Sequence, residues 1–317
     1  MTATTNQQPK SRRLIINPLS SNPVVLKELR GRMRGARAFV VITVYLALMS
    51  GFTTLLYVIN ASVRDFYGQT SSGVIGRTLF TGIVGIELFL VTFIAPAFTA
   101  GAISGERERQ TYDLLRTTLL PSRSFVVGKM ISALAYIMLL LIAAIPLQSI
   151  AFLFGGVTEA EVILAFVILA VTSITLGAVG LYFSARTPRT LSANVMTYGT
   201  ALVITIGVPL VAWIVSYILA PWLNANGFAS LPFPVQAAAT YVLLFIYSTN
   251  PLMTAFLTRE FLLNNQAVGV FQQQFITTSG NYTLTLVSPW IIFTVLYLLL
   301  ALVLLVLTVR RVRRIDP

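Results

Sequence analysis

No cysteine and no histidine occur among the 317 residues. The first absence removes disulfides and thiol chemistry, and the second removes imidazole bases and the commonest zinc and copper ligands. Acidic residues number ten, and charged residues of both signs make up 10% of the chain, against about 25% in soluble domains. No pair of carboxylates falls inside an apolar run to form an acid/base dyad. A GxxxxGK[ST] phosphate loop is missing, because Gly128-Lys129 is followed by Met130. Gly101-Ala102-Ile103-Ser104-Gly105 has the wrong spacing for a GxSxG nucleophile elbow. The chain is therefore expected to hold no catalytic, metal or cofactor site of its own.

What the sequence does contain is apolar length: 56% of its residues are hydrophobic. A helix needs about 20 apolar residues to cross a bilayer. Six runs qualify, at about 39–60, 79–103, 130–154, 162–184, 191–219 and 288–309. The fold class expected is an all-α integral membrane protein with six transmembrane helices. No short apolar segment with a cleavage site follows the polar N-terminus. Numbering the loops alternately, with both termini cytoplasmic, puts nineteen of the 22 basic residues inside. Only Arg64, Arg77 and Arg259 fall outside. That asymmetry follows the positive-inside rule, so the net charge of +12 reflects topology and not a nucleic-acid footprint.

A further apolar segment, Val235–Leu257, is long enough to cross. A seventh span would carry Arg310–Arg314 to the outer side, against the charge rule. The expectation is a re-entrant or surface-lying helical hairpin in an outer cap before span 6, broken at Asn250-Pro251, with an amide-rich stretch after it.

Residues 1–22 form a polar, basic tail, and residues 23–37 read as an amphipathic connecting helix ahead of a single transmembrane domain, 38–317. Asn22 is the N-cap and Pro23 the first helical residue. Val25, Leu29, Met33 and Ala36 share one face; Lys27, Arg30, Arg34 and Arg37 share the other. Such a helix lies among lipid headgroups with its cations on anionic lipid, or meets a cytoplasmic partner.

Between spans 2 and 3 runs SGERERQTYDLLRTTLLPSRS, Ser104 to Ser124. Glu106 and Arg109 are three apart, as are Asp113 and Arg116, so a helix would pair them weakly. Surface pairs contribute only about 0–1 kcal/mol, and stability does not account for this density of charge. A short charged helix facing the cytosol suits docking of another protein. Glu87 is the one acid inside an apolar run, a candidate transport-path residue or a permease–permease seam residue. Pro96, Pro146 and Pro209 fall within spans. Gly177 and Gly180, with Ser173 and Ser184, are small residues that let helices pack closely.

The stretch Glu106-Arg107-Glu108-Arg109-Gln110-Thr111-Tyr112-Asp113-Leu114-Leu115, followed by Pro121 and Gly128-Lys129, resembles the cytoplasmic signature of ABC-2 type ABC transporter permeases. Gln110 stands where that family commonly has Gly, and Asp113 where it has Glu. The segment from Asn22-Pro23 to Arg37 is similar to the family's connecting helix, and Asn250-Pro251 also resembles a family feature. The resemblance implies that the charged stretch is a cytoplasmic coupling helix. Its Glu106, Arg107, Glu108, Arg109, Thr111, Asp113, Leu114 and Leu115 would dock into a separate ATP-binding subunit, which holds ATP and Mg. It further implies a second permease copy or sister permease, membrane lipids as surroundings, ATP-driven export, and the cytoplasmic (inner) membrane of a prokaryote. Three rivals stand beside it. An ion- or proton-coupled secondary transporter or channel predicts paired intramembrane charges or inverted repeats. A membrane-embedded enzyme needs the residue types that are missing. A non-transporting assembly factor would borrow the permease fold.

Overall fold

The computed structural model describes residues 23–33, 36–67, 72–112, 121–227, 231–265, 268–277 and 280–314. Its helices are α1 (Pro23–Met33), α2 (Ala36–Tyr67), α3 (Ser72–Thr99), α4 (Ser104–Glu108), α5 (Ser122–Leu153) and α6 (Glu159–Arg186). They continue as α7 (Thr190–Leu202), α8 (Val208–Asn226), α9 (Phe233–Tyr247), α10 (Pro251–Asn265) and α11 (Pro289–Arg314). Among the described residues, six helical segments are long and apolar enough to cross a membrane: Ala38–Ser62, Ser72–Glu108, Ser122–Leu153, Glu159–Arg186, Thr190–Ile218 and Pro289–Arg313. Each overlaps one of the runs read from the sequence.

Helix α6 is the hub. Within its apolar window 67% of residues are buried, against 11% for Thr190–Ile218. It packs against α3, α5, α7 and α11. The sequence starts it with a capping box: Thr158 Oγ1 accepts from the Glu161 backbone N–H, and Glu161 Oε2 accepts from the Thr158 N–H. Gly180 sets how closely α6 meets α3, since a Cβ there would fall 2.0 Å from Thr99 Oγ1. A methyl group at this crossing would force the two helices apart.

Span five is not a plain helix. Between α7 and α8, residues Val203–Gly207 form a π-turn. Pro209 explains it. Proline has no N–H for the carbonyl four residues back, Thr205, and its ring crowds that position. The freed carbonyls are satisfied from elsewhere: Asn250 Nδ2 donates to the oxygens of both Ile204 and Thr205. The same side chain caps α10, its Oδ1 accepting from the Leu252 and Met253 N–H groups at 2.9 and 3.0 Å. Pro251 fills the first helical position, where no N–H is needed. The α9–α10 pair therefore turns back beside the middle of span five. Tyr297 on α11 fastens the same turn by donating to the Thr249 carbonyl at 2.7 Å. At 15 residues, α9 is about 22 Å long, short of a hydrocarbon core of about 30 Å.

One element within this all-α fold is not helical. The amide-rich stretch expected in the cap is a β-hairpin, β1 (Val270–Thr277) with β2 (Gly280–Val287), antiparallel with Val270 opposite Val287 and Thr277 opposite Gly280. Phe271, Leu284 and Leu286 point into a small core with Leu244, while Gln272 and Gln274 lie on the opposite face and Gln273, opposite Leu284, is exposed at the edge of that core. Burying one face of an alternating strand pair is what stabilises it.

Replacing Asn250 by Ala removes a cap and two donors to buried carbonyls. We expect a loss of roughly 2–3 kcal/mol in stability, read as a lowered thermal midpoint of the detergent-purified chain. An unchanged midpoint would show that the π-turn carbonyls find other donors.

Candidate functional site

Past the end of α3 the chain makes one tight turn, Gly101–Ile103, and enters α4. The first N–H groups of a helix have no partner inside it. Here Ser184 supplies one: its Oγ accepts from Ile103 N and Ser104 N at 2.8 and 3.0 Å. In the sequence Ser184 reads only as a small packing residue, whereas in the fold it seats α4 on the end of α6. Gly105 lies against the Thr190 methyl group, which keeps α4 close to the start of α7.

The carboxylates of α4 are turned onto the chain's own elements. Glu106 Oε1 accepts from Lys129 Nζ at 3.2 Å, and the same ammonium reaches Glu28 Oε1 on α1 at 2.9 Å. Lys129 is 4% exposed and each carboxylate 21%, so one nearly buried cation joins α1, α4 and α5. Its Nζ also lies 5.3 Å from the Phe125 ring centroid. The Thr111 hydroxyl donates to Glu106 Oε2, and its N–H to the Glu106 carbonyl at 3.0 Å. Glu108 reaches the other way, accepting from Thr190 N and Thr190 Oγ1, each at 2.8 Å. A carboxylate at the first N–H of α7 also meets the positive end of that helix.

What faces away from the protein is the tip. Glu108, Arg109 and Gln110 are exposed, and Gln110 has φ 57°, in the left-handed region. That conformation costs a non-glycine residue about 1–2 kcal/mol, and it accounts physically for glycine at the equivalent place in the pattern this stretch resembles. The Arg107 guanidinium lies 5.2 Å from the Tyr112 ring centroid, and its Nη2 is buried without an acceptor among the described residues.

Several sequence expectations are revised by these placements. Glu106 pairs with Lys129 and not with Arg109, because α4 ends at Glu108 and Arg109 lies in the turn beyond it. Helix α1 does not keep a free apolar face, since Val25 is buried and α1 packs against α5. Lys27 and Arg30 remain exposed on its other side. Arg34, the side chain of Arg37, and Asp113, Leu114 and Leu115 lie outside the described residues. Glu87 is fully buried between α3 and α5, accepting from Gln148 Nε2 at 2.7 Å, while its Oε1 has no partner among the described residues. Full burial within one chain takes it off any seam with a second copy. Asn250 and Pro251 form the break described above. Glu28 and Thr190 went unread. The available signal for Glu28 was an acid standing alone among the cations of α1. Among the described residues no group of three or more Asp or Glu converges as a metal site would require.

Lys129→Met removes the shared cation and leaves two carboxylates facing each other. The expected loss is roughly 1–3 kcal/mol in a thermal melt, whereas Arg123→Ala, at an exposed position, should stay within about 0.5 kcal/mol of the parent. Gln110→Gly relieves the left-handed strain and should raise stability by about 1 kcal/mol, measured in the same melt.

Comparison with curated proteins gives no match. Comparison with known families gives one match, over residues 23–313, described as an ABC-2 family transporter protein. The matched stretch holds α1, α4 and the six apolar segments. The chain belongs to the ABC-2 transporter family, whose members are the membrane components of ABC transporters and are not themselves catalytic.

Proposed function

We propose that this chain is the permease subunit of an ATP-driven exporter of the cytoplasmic membrane, worked by a separate ATP-binding subunit that docks on α4. The observation that carries this reading is how α4 is held. Its exposed tip, Arg109 and Gln110, is free to meet another protein. Its base is fixed to α1 and α5 through Lys129, to α7 through Glu108, and to α6 through Ser184. A push on the tip is therefore delivered to four elements at once. Coupling of this kind needs a rigid connection between the docking surface and the parts that move.

The same geometry changes the role of the charges. Glu106 and Glu108 brace α4, while the exposed Arg109 is the cation that meets the partner's acceptors. A second permease copy or sister permease completes the path. The apolar faces that α2, α7 and α8 leave exposed suit lipid and such a partner. Export, with ATP and Mg held by the docked subunit, follows from this reading.

The test is affinity purification of the tagged chain from its own host in mild detergent, scored by ATP hydrolysis and by identifying the retained subunit. We expect the parent to retain an ATP-binding subunit. Arg109→Glu should reduce retention by about tenfold, as expected for loss of a charge-assisted contact, with an unchanged thermal midpoint. Retention of no ATPase by the parent would overturn the reading. Full retention by Arg109→Glu would move the docking surface away from the tip.

A further inference from the structure

A cavity of about 120 Å³ lies between α3, α6 and α10. Its end away from α4 is polar. Glu161, Thr258 and Arg259 line it there, and each keeps a buried atom with no hydrogen-bond partner among the described residues: Glu161 Oε1, Thr258 Oγ1 and Arg259 Nε. Glu161 is 4% exposed and Thr258 2%. Leaving buried polar atoms unpaired is costly, and three at one end of one cavity mark a place built for a ligand. Glu161 and Arg259 form no ion pair with each other, and a negative and a positive residue both line the same space.

The rest of the wall is apolar: Phe80, Val84, Leu88, Leu164, Ile168 and Leu252 among others. At Gly85, Leu88 and Leu252 the cavity adjoins a second one of about 160 Å³, which continues along α3 to Phe93. From Phe80 to Phe93 is about 20 Å along the helix, enough to hold a chain as long as one leaflet, about half of a 30 Å hydrocarbon core. Apolar cavities of this kind stay dry and take up apolar molecules.

We infer that this groove binds one zwitterionic aminophospholipid, its ammonium on Glu161, its phosphate on Arg259 and Thr258, and an acyl chain along α3. The charge pattern makes the choice. An ammonium donates N–H groups to a carboxylate, and a phosphate accepts from a guanidinium. A quaternary amine has no N–H to give Glu161, and a glycerol headgroup has no cation. The inference rests on the chain being a membrane permease. It assigns a resident or regulatory lipid site and does not depend on what is transported.

The experiment is native mass spectrometry of the full chain in detergent, titrated with phosphatidylethanolamine, phosphatidylcholine or phosphatidylglycerol. One phosphatidylethanolamine per chain is expected, favoured over the other two by about tenfold, the size of one charge-assisted hydrogen bond. Glu161→Gln keeps the capping box, which glutamine also serves, and should bring the preference below about twofold. Gly85→Leu should abolish retention, because a Cβ at Gly85 meets nothing within 4 Å and the side chain enters the groove. Equal binding of the three lipids, absence of a one-to-one species, or retention by Gly85→Leu would each overturn the assignment. No ATPase is needed for this readout, so its failure leaves the docking on α4 untouched, and failure of docking leaves the lipid site untouched.

Discussion

One ammonium group holds the charged end of this protein together. Lys129 is nearly buried, and a buried cation must be paired or it destabilises the fold. Its two carboxylates come from far apart in the chain, Glu28 on α1 and Glu106 on α4. Neither helix could hold its place alone. Helix α4 has five residues, too few to be stable by itself, and α1 is rich in cations. The ion bridge makes each depend on α5, and α5 belongs to the main core through Tyr136, Leu140, Leu141 and Ala144. The exposed tip beyond α4 is thereby tied to the interior through a nearly buried, paired charge.

The opposite half is held by a different device. Pro209 breaks the hydrogen-bond ladder of span five, and Asn250 repairs it from another helix. A defect in one element thus becomes the attachment point of the next. The groove along α3 lies beside this arrangement, lined in part by α10. The α9–α10 pair is fastened at its tip by Asn250 and Tyr297 and at its far end by the hairpin. Between those fastenings α10 meets α6 and α3 only in part, and the groove lies where it does not.

The spans were legible because they rest on one physical quantity, the length of apolar sequence between charges. The charge asymmetry and the break at Asn250-Pro251 were legible for similar reasons, since each is local. What escaped was non-local. Nothing adjacent to Lys129 in sequence announces Glu28, 101 residues away. Thr190 is 82 residues from the carboxylate it binds. The hairpin is a different case. Thr283-Leu284-Thr285-Leu286 alternates with the period of a strand, but in an apolar chain that signal is outweighed by the helical runs around it. Gln110 shows a third kind of limit. Its left-handed backbone is set by the turn that brings the Thr111 hydroxyl back to Glu106, a constraint that residue type alone does not express.

The pairing of Pro209 with Asn250 also fixes an order of assembly. In a bilayer, an asparagine and two open carbonyls are each unwelcome alone. The ribosome delivers Pro209 first, so span five must wait with its carbonyls unmet until the Asn250 turn has been made. Asn250 then ties the α9–α10 turn to the middle of span five, and the polar groups mark the place where the two segments join.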